Sequence, residues 1–445
     1  MRLAERRVGV GVVVFVVTAV AHCTYSLLLS AAEPEPYMDE MMHVPLGQRA
    51  CNLELSRNTY DSRVTTPPAL YVVTAPLARA LGKCSPTRLR AANALLSSFS
   101  AFPIFSGCRS FTVNCPQKCA LLALAGSFNP VLLQCSAMYY TDGLASLLVL
   151  SAHSLAAYLA RHRAFLPAAL TPGALYAVAT LTRQSVAPFS AFTAVSAALA
   201  SESTSSKQRP LTRRTLTLLP KLVFFGLTIP SGSLAVLLYI AYITGGSFAL
   251  GDKSAHSLSL HFAQLAYAGS FACLSLAPLH FVRFSSRLSD FLTSAHQSMR
   301  LMSLQVVFAL CVRFGTVEHP YLLADNRHYT FYIFRRVLKR LGTFGSSLHA
   351  LFAELLLESL SLNTLGHIAL IVSTAASVVP LPLFEPRYLL LPALLAIMHT
   401  DVPQNGTGAL MSSVLINAWT CALQLYTFAN YTFMAPNGST GRFVW

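Results

Sequence analysis

Apolar residues run along this chain in long blocks, separated by short clusters of Arg and Lys or of mixed polar and aromatic residues. The first block, from Val8 to about Ser30, is long enough to cross a hydrocarbon layer about 30 Å thick as a helix. Backbone polar groups find no partners in lipid, so each crossing is predicted to be helical. Further blocks occupy 91–107, 119–136, 142–160, 165–181, 185–200, 219–244, 262–282, 301–315, 346–361, 365–383, 387–399 and 409–428. Together they predict about eleven to thirteen transmembrane helices. Segment 67–82 opens on Pro67 and Pro68, which suit the first turn of a helix, but it is short for a crossing.

Composition agrees with that pattern. Charged residues make up 11% of the chain and AVILMFWYC residues 54%, against about 25% charged residues in soluble domains. This excludes a soluble enzyme, a disordered tail and a secreted disulfide domain, and leaves an all-α polytopic membrane protein forming one integral unit over 1–445. The net charge is +15. Its basic residues lie in short clusters between apolar blocks, which reads as membrane topology and not as a nucleic-acid groove. Most of the ten cysteines fall inside apolar blocks, and no CxxC pair occurs. Cys108, Cys115 and Cys119 lack a paired zinc-type spacing, so the cysteines read as buried or free thiols.

Arg2, Arg6 and Arg7 before the first block predict an uncleaved first helix that starts in the cytosol. Residues 31–82 then form a first loop on the far side carrying amphipathic helices, 201–218 a hydrophilic cytosolic linker, and 317–345 a second far-side loop. The cytosolic loops hold Arg109, Lys118, Arg161, Arg163, Lys207, Arg209, Arg213, Arg214, Arg283, Arg287 and Arg300. Lys83, Arg88 and Arg90, and likewise Arg335, Arg336, Lys339 and Arg340, fall on the opposite side against the positive-inside rule. No period of 20–50 residues repeats and no inverted pair of broken helices stands out.

Polar side chains gather on the far side, in 33–43, 139–142, 182–184, 245–256, 321–334 and 384–388. Charged groups at membrane depth are costly and point to function. Asp39 and Glu40 offer a general base, a metal ligand or a helix N-cap. His43 lies four residues beyond Asp39 on the same helical face, and Gln48, Tyr60 and Asp61 extend the polar surface. Asp325, Asn326, Arg327 and His328 precede Tyr329, Phe331 and Tyr332. Such interleaving suits an anionic sugar phosphate, and equally a solvated loop with interfacial aromatics. Glu385, Arg387 and Tyr388 form either a buried ion pair or a Glu-fixed Arg aimed at a lipid phosphate. Arg183 joins them or snorkels to the interface. A Gly-rich phosphate loop, a Rossmann fingerprint and a DxD triplet are all missing, so a nucleotide-sugar donor has no support.

EPYMDE at 35–40, with His43, Pro45 and Gln48, resembles the first-loop signature of the Alg10 (DIE2) α-1,2-glucosyltransferases. The likeness continues through VTTPPALY at 64–71, YYTD at 139–142, RQ at 183–184, GDKSAH at 251–256, YLLADNRHYTFYIF at 321–334 and RFVW at 442–445. The resemblance implies a GT-C fold in the endoplasmic reticulum membrane with a lumenal active site. It implies dolichyl phosphate glucose as donor and the lipid-linked oligosaccharide Glc2Man9GlcNAc2-PP-dolichol as acceptor, which receives its terminal α-1,2 glucose before N-glycosylation. A β-linked donor and an α-linked product imply inversion by a single displacement, with one carboxylate as base: Asp39, with Glu40 second. Arg387, Arg327 and Arg183 are then the expected donor-phosphate ligands. His43, Gln48, Tyr140, Asp142, Asp252, Asp325, Asn326, His328 and Tyr329 are the expected sugar and acceptor contacts. Neither a cofactor nor a metal is expected.

The sequence departs from relatives at VVPLPLF before Glu385, where they tend to be more polar, and at Pro386, which separates Glu385 from Arg387. The rival readings are a non-catalytic transporter or channel partner, and another dolichyl-phosphate-sugar transferase. Sequons occur at Asn405 on the cytosolic side and at Asn430 and Asn437 on the lumenal side.

Overall fold

A computed structural model describes residues 2–112, 115–202, 211–251, 259–320, 322, 327–434 and 440–444. The expected Asp252, Asp325 and Asn326 lie outside these described residues, as does the sequon Asn437. The fold is helical, with one two-stranded ribbon among the described residues. In chain order the helices are α1 (Arg2–Ala32), α2 (Glu40–Cys51), α3 (Ala69–Ala80), α4 (Pro86–Ser98), α5 (Ala101–Phe111), α6 (Pro116–Ser127) and α7 (Pro130–Ala137). Next come α8 (Thr141–Arg161), α9 (Phe165–Thr180), α10 (Phe189–Ala200), α11 (Leu211–Thr244), α12 (Ala263–Leu274), α13 (Ala277–Thr293) and α14 (Ala295–Gly315). The last are α15 (Tyr329–Ile333), α16 (Lys339–Ser359), α17 (Thr364–Val378), α18 (Pro386–His399) and α19 (Thr407–Asn430), followed by β1 (Thr432–Met434) and β2 (Thr440–Arg442).

Every apolar block of the sequence lies on a helix or a helix pair. By length and composition, five described helices can cross a membrane unaided, and seven crossings result if each of two bent pairs counts as one. Four further apolar helices are shorter. The count of full-length spans is therefore lower than the eleven to thirteen read from the sequence, because several blocks are broken. The 119–136 block bends by 57° between α6 and α7. There Pro130 starts the second helix and the Asn129 side chain accepts the Val131 amide at 3.1 Å. The 262–282 block bends by 88° between α12 and α13.

Burial separates central from peripheral helices. In α18, every residue from Leu389 to His399 is buried, as suits a helix apolar all round. In contrast α14 and α11 expose Val306, Leu310, Leu227 and Leu238, the apolar surface a lipid-facing helix presents.

The described ends of the helices form two faces. On one, Lys118 Nζ donates to the Pro403 carbonyl at 2.7 Å, and Arg283 lies 3.6 Å from Asp401. Exposed Arg161 ends α8 and exposed Arg163 follows it. On the other, the Ala69 amide bonds the Leu181 carbonyl, the Leu250 amide bonds Thr65, and Gln184 Nε2 bonds Thr65 and Phe248. Helix α3 starts beside Leu181, and the chain beyond it is tied back to the first loop by a Cys51–Cys84 disulfide. The 12 residues of α3 reach only about 18 Å, short of a hydrocarbon layer about 30 Å thick.

This disulfide corrects the reading of all ten cysteines as buried or free thiols. The loop sequence around Cys51 and Cys84 carries no pairing signal, and the two meet only because α2 packs on α3. The apparent breach of the positive-inside rule at 83–90 has the same resolution. That segment belongs to the site face, and Arg90 is wholly buried there in an ion pair.

Candidate active site

Four breaks between helices bring the polar groups of distant segments together. Asp39 sits at the start of α2, Tyr140 and Asp142 at the start of α8, Arg183 between α9 and α10, and Glu385 and Arg387 at the start of α18. Pro386 fits the first turn of α18, where its missing N–H is not needed, and so presents Arg387 in that turn. Arg387 Nη1 lies 2.9 Å from Asp39 Oδ2, across 348 residues of sequence. Its Nε also bonds Glu385. Arg183 Nη1 pairs with Asp142 Oδ1 at 2.6 Å.

The two guanidinium groups share an aromatic partner. Arg183 lies 5.0 Å and Arg387 5.5 Å from the Tyr388 ring, and Arg387 also lies 5.5 Å from the Tyr140 ring. A cleft between them is lined by Asp142, Ser146, Arg183, Ser377, Arg387 and Tyr388. Two guanidinium groups thus line one small cleft, Arg183 paired with Asp142 and Arg387 with Asp39 and Glu385.

Asp39 stands at the N-cap position of α2 but makes no side-chain capping bond. Its side chain is 35% exposed. Burial by itself would raise its carboxyl above the ordinary range. Arg387 outweighs this, with His43 and His328 adding to it, and the carboxyl is held below that range. The carboxylate is thus ionised at neutral pH. The His43 ring is held below the ordinary histidine value, chiefly because burial disfavours its cation; Arg387 acts in the same sense and Asp39 opposes it. His43 Nδ1 lies 2.7 Å from the Tyr71 hydroxyl.

Glu40, the second candidate base, has a different place. It is fully buried and meets Arg90 through two contacts, at 2.9 and 2.6 Å. It also accepts the Tyr37 and Tyr139 amides at 3.0 and 2.7 Å. Four donors leave it a structural task, that of joining α2, α4 and the turn before α8. Gln48 stands nine residues along α2 from Asp39 and donates to the Cys84 carbonyl, beside the disulfide and outside the cluster. The 327–329 segment is paired through its backbone with Val444: the Arg327 carbonyl accepts the Val444 amide, and the Tyr329 amide donates to Val444, both at 2.9 Å. Tyr329 stacks on Phe443 with centroids 6.3 Å apart. Among the described residues, no three His, Cys, Asp or Glu side chains converge as a metal site.

The DIE2/ALG10 family pattern matches residues 33–398. The chain belongs to this family. A relative from Arabidopsis thaliana, 26% identical, aligns over 94% of this chain and 97% of its own length. One from Rattus norvegicus, 28% identical, aligns over 96% and 97%. Both carry the name Dol-P-Glc:Glc(2)Man(9)GlcNAc(2)-PP-Dol alpha-1,2-glucosyltransferase. Among solved structures, an apo oligosaccharyltransferase of Archaeoglobus fulgidus is 14% identical with a TM-score of 0.33, over 89% of this chain and 57% of its own.

Within the family frame, the sequence singled out Asp39, Arg183, Asp142, Tyr140 and Arg387, and the fold brings them together. It missed Tyr71, Tyr37 and the Glu40–Arg90 pair. The available signal for Arg90 was its place on the wrong side for a topological charge, which asks for a partner.

Proposed function

We propose that this protein transfers glucose from dolichyl phosphate glucose, in α-1,2 linkage, onto Glc2Man9GlcNAc2-PP-dolichol at the lumenal face of the endoplasmic reticulum membrane. Family membership and the names of relatives that align over nearly the whole chain support the substrates. The Cys51–Cys84 disulfide on the site face supports an oxidising compartment there.

The observation that carries the mechanism is the Asp39–Arg387 contact beside a cleft with two cations. Asp39 acts as general base and takes the proton of the acceptor hydroxyl. That oxygen attacks the anomeric carbon from the face opposite the phosphate. The bond to the phosphate oxygen breaks, inverting the centre, and dolichyl phosphate leaves with the bonding pair. Arg387 and Arg183 hold that phosphate and stabilise the charge it gains. Such a preorganised donor is worth about 3–4 kcal/mol in enzymes generally. Pairing with Arg387 keeps Asp39 ionised until the acceptor arrives. His43 and Tyr140 frame the sugar side of the base, and Asp142 orients Arg183.

The test is direct. Purified protein given dolichyl phosphate glucose and the diglucosylated lipid-linked glycan is expected to add one hexose, read by mass spectrometry. Asp39→Asn is expected to abolish the gain while the protein is still produced at the normal level. Turnover by that variant removes Asp39 from the role of base. Flux across sealed vesicles without hexose transfer would instead favour the transporter reading.

A further inference from the structure

The turn carrying Asp39 is gripped by a strand more than 400 residues away. The Tyr37 hydroxyl donates to the Arg442 carbonyl at 2.6 Å and accepts the Arg442 amide at 2.7 Å, so one phenol closes on both polar atoms of a single residue of β2. The Tyr37 ring packs edge-on against Phe428, centroids 5.8 Å apart. The Arg442 guanidinium in turn bonds Glu33 at 2.9 Å, the Ala32 carbonyl at 2.7 Å and the Phe428 carbonyl at 2.8 Å. This locks the exit of α1, the end of α19 and β2 into one knot. Two residues further on, Val444 pairs with the segment that holds His328.

What lies between Tyr37 and Asp39 gives the knot a purpose beyond anchoring. Met38 has φ of +58°, the left-handed region that a side chain with a Cβ enters only at a cost. A turn so constrained persists when its surroundings over-determine it. Here the surroundings are the Tyr37 hydroxyl on β2, the Tyr37 amide on Glu40 at 3.0 Å, and the Asp39 amide on the Tyr140 hydroxyl at 3.3 Å. The direction in which the Asp39 carboxylate leaves the turn follows from these contacts.

We infer that β2 and Val444 form a positioning element for the Asp39 base, β2 acting through Tyr37 and Val444 through the segment that holds His328. The strand holds Met38 in its left-handed conformation and so keeps Asp39 against Arg387. Val444 also holds the segment of His328, whose charge bears on the Asp39 carboxylate. This rests on the reading of Asp39 as the base.

Tyr37→Phe keeps the ring and its packing and removes both bonds to Arg442. Misplacing a reacting group by about 1 Å costs up to about a hundredfold. The variant is therefore expected to lose about tenfold to a hundredfold in kcat, with KM for donor and acceptor within about twofold. A smaller active fraction would give the same split, so the acid limb of the pH–rate profile decides. The charged and titratable groups near Asp39 include Arg387 and Tyr388 from α18, His43 from α2, Tyr140 from the start of α8 and His328 from the segment before α15. All remain in the variant, but Asp39 is no longer held on Arg387, and the limb is expected to move to higher pH. Phe428→Leu, which loosens the packing and keeps the hydrogen bonds, is expected to lower the thermal midpoint with the limb in place. Val444→Pro removes the amide that Arg327 accepts, and is expected to move the limb in the same sense as Tyr37→Phe. An unmoved limb in both Tyr37→Phe and Val444→Pro overturns the inference. An active Asp39→Asn in the otherwise unaltered chain overturns it separately, through the base on which it rests.

Discussion

At the scale of single residues, neighbouring carboxylates take opposite tasks. Asp39 is partly exposed and faces Arg387; Glu40 is enclosed and faces Arg90. Removing one partner of a buried pair such as Glu40–Arg90 commonly costs about 3–5 kcal/mol, because the other charge is left without compensation. A loss of activity in a Glu40 variant therefore reports folding before it reports catalysis. For Asp39 the sign of the pH effect follows from its depressed value in the fold. The stability it contributes is present above the unfolded carboxylate value, near about 4. That stability is lost as pH falls through the lower, folded value. Arg387→Gln removes the main opposing cation. It is expected to move the acid limb of kcat/KM upward and to lower kcat by about a hundredfold, since the leaving phosphate loses a donor too. A pH–rate profile with a wild-type acid limb would show that Arg387 does not set the ionisation of Asp39.

Among elements, α3 and the disulfide matter most. The short helix is short in apolar length for a crossing, and its flanks are tied to α2 and to Leu181. In sealed vesicles, an impermeant thiol reagent is expected to reach Arg63→Cys and Arg79→Cys, which bracket most of α3, from one and the same side. It should reach Arg161→Cys from the other side. Labelling of the first two from opposite sides would make α3 a crossing. Cys51 and Cys84 are separated by 33 residues. Closing a loop of that length restricts the unfolded chain by about 3–4 kcal/mol. Replacing both by Ser is thus expected to lower the thermal midpoint, with donor KM changed little because the bond lies outside the anion cleft. An unchanged midpoint would mean that α2 and α3 need no covalent tie.

On the scale of the whole molecule, the basic residues divide by role. Lys118, Arg161 and Arg283 lie on the face opposite the site, the side that the positive-inside rule expects in the cytosol. Arg90, Arg183, Arg387 and Arg442 lie on the site face, each bound to a carboxylate. The cluster at 335–340 follows neither pattern fully: Arg335 and Arg336 lie over Phe331 and Tyr332, and Lys339 pairs with Glu318 at 2.8 Å. Breaking the helices on one face concentrates backbone ends and charges at one depth, where the proposed donor phosphate and the glycan of a lipid-linked acceptor would meet.

The sequence alone determined the helical class and the position of nearly every helix. Hydrophobic length and the bias of Lys and Arg are local, additive signals that need no knowledge of contacts. Tertiary structure decided that 119–136 and 262–282 bend, that Cys51 meets Cys84, and which of two adjacent carboxylates is buried. It also decided that Tyr37 closes on Arg442. Each of these depends on which surfaces pack together, and a meeting of residues hundreds of positions apart leaves no periodic trace in either of them.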